Sequence, residues 1–160
     1  MRPIINMLVE LDIFAVDERS HEKILAHTEL VLAHERGARV EDAEWIAAIF
    51  GGAWPQEAQA GWNWYARDAN GNTRGFATYE QRALRYWWLD GWLDKTDVGI
   101  FGPMGVDPAL RGLGIGTLLT QRALLSLKQL GFARALIPAV GPVEFYERCC
   151  GARVVQRLER

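Results

Sequence analysis

The sequence has few cysteines, no long apolar run and no excess of positive charge. Its only two cysteines, Cys149 and Cys150, are adjacent, which excludes a disulfide framework and is typical of a reducing compartment. No apolar run approaches the roughly 18–20 residues that cross a bilayer, and Met1–Glu10 lacks the basic start and cleavage site of a signal peptide. We therefore expect a soluble, cytoplasmic protein without membrane partners.

Charge and composition exclude further classes of function. The formal net charge is −2 and there is no block rich in lysine or arginine, so nothing indicates a nucleic-acid partner. The histidines lack the three- or four-residue spacing of a helical metal site, and we expect no metal. The 160 residues contain no linker, repeat or low-complexity segment. The sequence therefore predicts a single domain over residues 1–160.

The most informative segment is Val98–Leu130, which has the pattern of a strand, a glycine-rich turn and a helix. The run Val98–Val106 is mostly apolar, as in a strand covered on both faces. Pro103 cannot donate a ladder hydrogen bond, so it predicts a bulge within that strand. The turn Arg111–Gly116 leads directly into apolar residues at helical spacing.

The glycines of this turn point to an anion site. Three glycines at alternate positions let the backbone approach a ligand and direct N–H groups outward at the positive end of the helix dipole. Arg111 adds a positive charge. The alternative is a tight turn whose glycines serve packing alone. Neither nucleotide fingerprint fits, because Thr117 stands where a Rossmann loop has its third glycine and no Gly-Lys-Ser/Thr occurs.

This segment resembles the signature of the GNAT acyltransferase superfamily, Gln/Arg-x-x-Gly-x-Gly/Ala after a bulged strand. Arg111–Gly116 fits the signature, and Val106-Asp107-Pro108 is similar to the approach to it. Gly141–Ala152 resembles the family's second conserved segment, a helix that carries a tyrosine and ends at a glycine. The resemblance clearly covers Gly61–Arg160. It departs at Ala139, where many members have asparagine, and at Pro142, where a small alanine is common.

The predicted order of elements is also that of the GNAT fold. The segments, in chain order, are a strand in Ile4–Phe14, a helix from Asp17 or Ser20 to Arg36, a helix over Glu41–Phe50, hairpin strands over Gly61–Asp68 and Thr73–Gln81, the strand and helix of Val98–Leu130, a strand over Ala133–Val140, a helix over Val143–Cys150 and a strand over Ala152–Leu158. The predicted fold class is α/β (α+β): a mixed, mostly antiparallel sheet flanked by about four helices. The resemblance implies that this sheet splays between the fourth and fifth strands.

The resemblance also implies a co-substrate and the residues that bind it. The co-substrate is acetyl-CoA, and no metal is required. The implied CoA-binding residues are Met104, Gly105 and Val106 for the pantetheine arm and Arg111, Gly112, Leu113, Gly114, Ile115, Gly116 and Thr117 for the pyrophosphate. The implied activity is direct transfer of an acetyl group to a primary amine of a small molecule or peptide. The alternatives are a non-catalytic acyl-CoA-binding module and a dimeric interaction domain.

Few groups are needed for such a transfer. The resemblance places the hydroxyl of Tyr146 near the thiol sulfur, where it would act as the acid; the alternative is a core tyrosine. A backbone N–H of Gly105 or Val106 at the bulge is the predicted oxyanion donor. The base is not specified by the sequence: Glu80 is our candidate, and the other carboxylates in reach of the site are Asp90, Asp97 and Glu144.

The sequence contains seven tryptophans, which is many for its length. Trp54, Trp87, Trp88 and Trp92 lie in segments predicted to be irregular. Their amphipathic rings suit either the wall of an acceptor pocket or the contact of a homodimer. The sequence leaves both interpretations open.

Overall fold

The computed structural model describes residues 2–80, 82 and 84–159, and these form seven strands and five α-helices. The elements are β1 (Ile4–Glu10), α1 (Glu18–Thr28), β2 (Val31–Arg36), α2 (Val40–Ile49), α3 (Trp54–Ala60), β3 (Trp62–Arg67), β4 (Thr73–Tyr79), β5 (Val98–Val106), α4 (Ile115–Gln129), β6 (Arg134–Ile137), α5 (Val143–Cys150) and β7 (Arg153–Leu158). In the sheet the strands are ordered β2-β3-β4-β5-β6-β1-β7. This confirms the predicted α/β class with a mixed sheet.

The sheet is antiparallel except where β5 meets β6. That parallel pairing joins only Val98–Ile100 to Arg134–Leu136. Beyond it, β5 continues along β4 to Val106, whereas β6 ends at Ile137. The two strands therefore separate toward their carboxyl ends. This is the predicted splay, since β5 and β6 are the fourth and fifth strands expected from the sequence.

A bulge interrupts β5 beside the splay. Ala77 pairs with Met104 and Tyr79 pairs with Phe101, so three steps along β5 match two steps along β4. The extra residue lies in Gly102-Pro103, which confirms the bulge that Pro103 predicted.

Each face of the sheet has its own covering. On one face α1, α4 and α5 pack over the main core, into which α4 buries Leu118, Leu119, Leu124 and Leu127. On the other face, α2 and α3 cover β3 and β4 through a cluster that includes Ile46 and Phe76. The β4–β5 connection, residues 84–97, covers β1, β5 and β6 on that same face through Leu89. The boundary between these two coverings lies over the splay.

The prediction of one helix as far as Arg36 is wrong. Helix α1 ends at Thr28 because Glu29 adopts a left-handed conformation (φ 57°), and β2 follows as an edge strand paired with β3. In the sequence, the apolar spacing of α1 continues through Val31, but in the structure that residue is 65% exposed. A tertiary contact stabilises the strand: the ring of His34 stacks on the ring of Trp64, with the two centroids 4.3 Å apart.

Other boundaries differ less. Helix α3 was not predicted, although Pro55 lies in its first turn, a favoured position for proline. Strand β6 is shorter than the expected Ala133–Val140. Strand β1 lies between β6 and β7, so the first strand of the chain joins the last two. In the part of the chain that the structure describes, no helix is long and apolar enough to cross a bilayer.

Candidate functional site

The N-terminus of α4 is an open set of hydrogen-bond donors. Gly114 caps the helix in a left-handed conformation (φ 88°), and no side chain caps it. The N–H of Leu118 donates to the carbonyl of Gly114 at 3.0 Å. The three residues before Leu118 lie in the first turn, where backbone N–H groups have no intrahelical acceptor. No acidic side chain occupies this turn to neutralise the positive end of the helix dipole.

These donors border a cavity of about 590 Å³, which we call the cradle cavity. Every residue that the sequence assigned to CoA lines it except Leu113. The predicted residues brought together are Met104, Gly105, Val106, Arg111, Gly112, Gly114, Ile115, Gly116 and Thr117. Arg111 is the only charged residue among the described residues of this wall. The wall therefore combines backbone donors with one positive charge, as a phosphate site requires.

Two glycines keep the cradle cavity open. A Cβ on Gly112 would meet no atom within 4 Å, and one on Gly116 would lie 3.6 Å from side-chain atoms of Met104 and Phe145, both in the cavity wall. Gly114 differs, because its Cβ would lie 3.0 Å from Ile24 of α1. Gly114 thus serves the turn and its packing, whereas side chains at the other two positions would enter the space available to a ligand.

The edge of β5 beyond the bulge faces the splay. The N–H of Asp107 donates to the carbonyl of Arg74 on β4 at 2.7 Å. Since backbone groups alternate along a strand, Gly105 also points toward β4, and the groups of Met104 and Val106 point to the opposite edge. In the described residues, β6 pairs with β5 only as far as Ile100. Of the two predicted oxyanion donors, Val106 is therefore the one that faces the splay.

A second cavity, about 640 Å³, lies over the splay; we call it the splay cavity. It shares Phe50, Trp54, Met104 and Pro142 with the cradle cavity, so the two cavities adjoin each other. Its walls come from the α2–α3 turn, the β4–β5 connection, the β5 bulge and the segment after β6.

Tyr146 reaches the splay cavity from α5. Its side chain is only 7% exposed and its ring packs edge-on against Phe101, with centroids 6.0 Å apart. Burial is the main cause that raises the pKa of the Tyr146 hydroxyl, and the neighbouring Cys149 and Cys150 add to it. The phenol therefore stays protonated at neutral pH. The sequence prediction of Tyr146 as the acid is compatible with this position and stays a prediction.

Glu57 was missed by the sequence analysis. It lies on α3, and it is the only carboxylate among the described residues that line the splay cavity. Burial raises the pKa of Glu57 above its ordinary value, and the hydrogen bond from Tyr86 opposes this only in part. No motif surrounds Glu57. The one signal in the sequence was Pro55, which suits the first turn of a helix whose inner face then includes position 57.

Glu80 lies outside both cavity walls. It ends β4 with φ 60°, and its Oε1 accepts a hydrogen bond from Arg82 Nε at 2.7 Å. The other carboxylates considered are also absent from the wall of the splay cavity: Asp97 pairs with Arg134, and Glu144 pairs with Arg148. The role of Glu80 as base stays a prediction, and the structure offers Glu57 as a better placed alternative.

Two pairs of stacked rings face the splay cavity. Phe50 stacks on Trp54 with centroids 4.9 Å apart, and Tyr86 stacks on Trp88 at 4.4 Å. Trp87 is 42% exposed and packs edge-on against Trp88. The tryptophans of the irregular segments thus contribute two rings, Trp54 and Trp88, to the cavity wall.

Asn6, fully buried on β1, holds two walls of the splay cavity in place. Its Nδ2 donates to the carbonyl of Trp88 at 2.9 Å and to Gln156 Oε1 at 2.8 Å. Its Oδ1 accepts the N–H of Ala139 at 3.0 Å. Trp92 Nε1 also donates to Gln156 Oε1, at 2.7 Å. One amide therefore fixes both the β4–β5 connection and the segment after β6.

We expect Asn6→Leu to lower the free energy of unfolding by about 2–4 kcal/mol, because it leaves several buried polar groups without partners at nearly constant volume. Urea denaturation measures this loss. Gln129→Leu, at an exposed position of α4, is the control and should change stability by less than about 0.5 kcal/mol. A loss as small for Asn6→Leu as for the control would show that the network does not hold these walls.

Comparison with known proteins places this site in a family. The model of the Acetyltransferase (GNAT) family matches residues 40–152, more than half of the chain. The matched range runs from the start of α2 past the end of α5 and includes both cavities. No curated protein matches the chain.

Solved structures share the fold. The GCN5-related glucosamine N-acetyltransferase region of a fungal multi-domain GH3 β-N-acetylglucosaminidase superposes with a TM-score of 0.74 and 20% identity, over 98% of this chain and 20% of that one. A putative GNAT acetyltransferase from Novosphingobium aromaticivorans superposes with a TM-score of 0.66 and 13% identity, over 98% of this chain and 61% of that one. A GNAT N-acetyltransferase (YhbS) from Escherichia coli, in complex with CoA, superposes with a TM-score of 0.55 and 19% identity, over 75% of this chain and 67% of that one. The chain thus spans only part of the first two proteins.

Proposed function

Since the chain belongs to the GNAT acetyltransferase family, we propose that it transfers an acetyl group directly from acetyl-CoA to a primary amine of a small molecule or peptide. One observation carries this proposal: two adjoining cavities, which share four wall residues, extend from an uncapped helix N-terminus to a chamber walled by Glu57 and Tyr146. The first end suits a diphosphate, and the second brings a base and an acid to one place.

The cradle cavity would hold the CoA end of the co-substrate. The N–H groups of Ile115, Gly116 and Thr117, with Arg111 beside them, would bind the pyrophosphate. The free edge of β5 at Met104 and Val106 would bind the amides of the pantetheine arm by adding to the sheet. Acetyl-CoA, when bound, supplies an acetyl group activated as a thioester.

Glu57, Val106 and Tyr146 would then have separate roles in the reaction. Glu57 takes a proton from the acceptor amine, and its raised pKa makes it a stronger base than an exposed carboxylate. The N–H of Val106, on the free edge of β5 in the wall of the adjoining cradle cavity, donates to the carbonyl oxygen as negative charge develops there. Tyr146 donates its hydroxyl hydrogen to the departing sulfur. Because burial makes this phenol a weaker acid, we expect hydrogen bonding, rather than complete proton transfer, to carry most of its effect.

We expect Tyr146→Phe to lower kcat by at least about tenfold. General acid catalysis usually contributes about 10²–10⁴-fold, so this minimum lies below the usual range. The affinity for acetyl-CoA should change little, because the ring remains. Thiol release and a binding isotherm measure the two quantities. The loss should shrink for acyl donors with a more acidic thiol, since such a leaving group needs the hydrogen bond less.

Tyr79→Phe is the matched control for this substitution. It removes a phenolic hydroxyl that lies outside both cavity walls and is bonded to His34 at 2.6 Å. Its kcat should stay within about twofold of the wild type. If Tyr146→Phe loses the same factor with every donor, Tyr146 is a packing residue and the acid role is wrong.

Thiol release from acetyl-CoA over a panel of amines, measured beside an acetyl-CoA binding isotherm, tests the function itself. Turnover of at least one amine supports the proposed transferase. Binding of acetyl-CoA without turnover of any amine would instead identify a non-catalytic acyl-CoA-binding module.

A further inference from the structure

We infer that the acceptor is an amine carried on an apolar or aromatic body and bearing no anionic group. The inference rests on the proposed function, because it concerns the acceptor of that same reaction. It follows from three features of the splay cavity: its aromatic walls, its single negative charge and its small number of polar side chains.

The aromatic walls stand on two separate elements. Phe50 and Trp54 belong to the α2–α3 region, whereas Tyr86 and Trp88 belong to the β4–β5 connection. Tyr86 and Glu57, one from each element, lie close enough for each to affect the pKa of the other. Each ring is already stacked on its neighbour, so a planar apolar body can pack against the walls without first ordering them.

The charge of the cavity selects a cation. Glu57 is the only carboxylate in the described wall, and that wall contains no lysine, arginine or histidine. An ammonium group would be attracted by Glu57 and by the faces of the indole rings. A carboxylate or phosphate on the acceptor would enter a largely apolar chamber without a positive partner, which is strongly unfavourable. Amino acids and phosphorylated amines are therefore disfavoured.

The polar side chains of the wall are too few for an acceptor rich in hydroxyl groups. Apart from Glu57, the side chains that can hydrogen-bond are Tyr86, Tyr146 and the indoles of Trp54 and Trp88. Glu57 and Tyr86 also interact with each other. Most hydroxyl groups of an amino sugar would lose their water without gaining a partner.

Matched pairs of amines test the inference with the full chain and acetyl-CoA. Phenethylamine and tryptamine are compared with phenylalanine and tryptophan, which differ from them only by the carboxylate, and glucosamine represents amino sugars. We expect kcat/KM for each simple amine to exceed that of its amino acid by about 100-fold or more, and to exceed that of glucosamine as well. An amino acid or glucosamine turned over as well as phenethylamine overturns the inference.

A charge added at the cavity mouth should change this preference. Ala53 lines the splay cavity and is exposed, so a longer side chain can be accommodated there. Ala53→Arg should raise kcat/KM for phenylalanine by about tenfold or more while lowering that for phenethylamine, because the guanidinium pairs with the carboxylate and repels the ammonium group. Ala53→Gln, similar in length but neutral, should leave the ratio of the two within about twofold.

Direct binding separates this inference from the proposed function. Titration of phenethylamine and of phenylalanine, followed by isothermal titration calorimetry, needs no turnover. Tighter binding of phenethylamine than of phenylalanine without turnover of any amine would support the inference and overturn the transferase proposal. Turnover of amines without that preference would do the reverse, and an absence of both binding and turnover overturns both.

Discussion

Glu57→Gln should lower kcat/KM by about 10²–10⁴-fold, the usual contribution of a general base. The amide keeps the shape of the side chain and can still accept a hydrogen bond from Tyr86, but it cannot take a proton from the acceptor amine. Thiol release at saturating acetyl-CoA and varied amine measures the loss. Acetyl-CoA affinity should remain near that of the wild type, because Glu57 does not line the cradle cavity.

The pH dependence of kcat/KM gives an independent measurement. A base must be ionised to act, so the wild-type value should fall as the pH drops through the pKa of Glu57. Because burial raises that pKa, the fall should begin at a higher pH than an ordinary glutamate would give. The acid limb should be absent from Glu57→Gln. A limb that persists unchanged in the variant would assign the titration to another group.

Glu80→Gln is the control for this substitution, and it compares the two candidate bases directly. Glu80 lies outside both cavities and pairs with Arg82, so its replacement should change kcat/KM by less than about threefold. If instead Glu80→Gln causes the large loss and Glu57→Gln the small one, the base is Glu80, as the sequence first indicated.

The stability of Glu57→Gln shows whether a loss of activity comes from misfolding. A carboxyl group whose pKa is raised by folding stabilises the folded state only while it is protonated, and this contribution is lost as the pH rises through the raised pKa. The neutral amide avoids that loss. Glu57→Gln should therefore melt at or above the wild-type temperature at pH 8, with the difference shrinking toward pH 4.

Gly116→Leu should raise the Kd for acetyl-CoA by at least about 30-fold. A Cβ at this position lies in ordinary contact with Met104 and Phe145, so the remainder of a leucine must extend into the cradle cavity. There it blocks access to the backbone donors of the first turn of α4, and each charge-assisted hydrogen bond lost costs about 1.5–3 kcal/mol. An isotherm with acetyl-CoA measures the effect.

The fold should survive this substitution, because leucine is a better helix former than glycine by almost 1 kcal/mol and the backbone of Gly116 is helical. Gly114 would be a poor choice, since its left-handed conformation and Ile24 would strain any side chain there. Gln129→Leu, at the other end of α4, is the control and should leave Kd unchanged. A folded Gly116→Leu protein with wild-type affinity would show that CoA binds elsewhere.

The strand and helix that border the cradle cavity could be predicted from the sequence because the information there is local. The strand, the turn and the helix that provides the dipole all lie within Val98–Leu130, and each glycine affects the residues next to it in sequence. The bulge at Pro103 was predicted for the same reason, since it concerns one strand and its neighbour, whereas the splay was implied by the family resemblance; the strand pairing confirms both. Leu113 alone of the predicted binding residues is absent from the wall, because the turn leaves it 39% exposed.

The splay cavity was much less predictable, because its walls come from segments far apart in sequence. Glu57 and Tyr86 meet only through tertiary packing, and no local pattern marks either residue. Ala139 shows the same difficulty: its backbone N–H donates to the side-chain amide oxygen of Asn6, more than 130 residues earlier in the chain. Strand β2 was missed because its stacking on β3 overrides a helical pattern that continues from α1.

The position of β1 has a consequence for how the molecule folds. Ile4 pairs with Leu158, so closing the sheet between β6 and β7 brings together residues from nearly the two extremes of the sequence. Such a distant contact carries the largest loop-closure entropy in the molecule and is expected to form late. Asn6 lies on β1, and its side-chain amide holds two walls of the splay cavity in place. The strand, turn and helix of Val98–Leu130, which are contiguous in sequence, can therefore form before β1 completes the sheet and fixes the walls of the splay cavity.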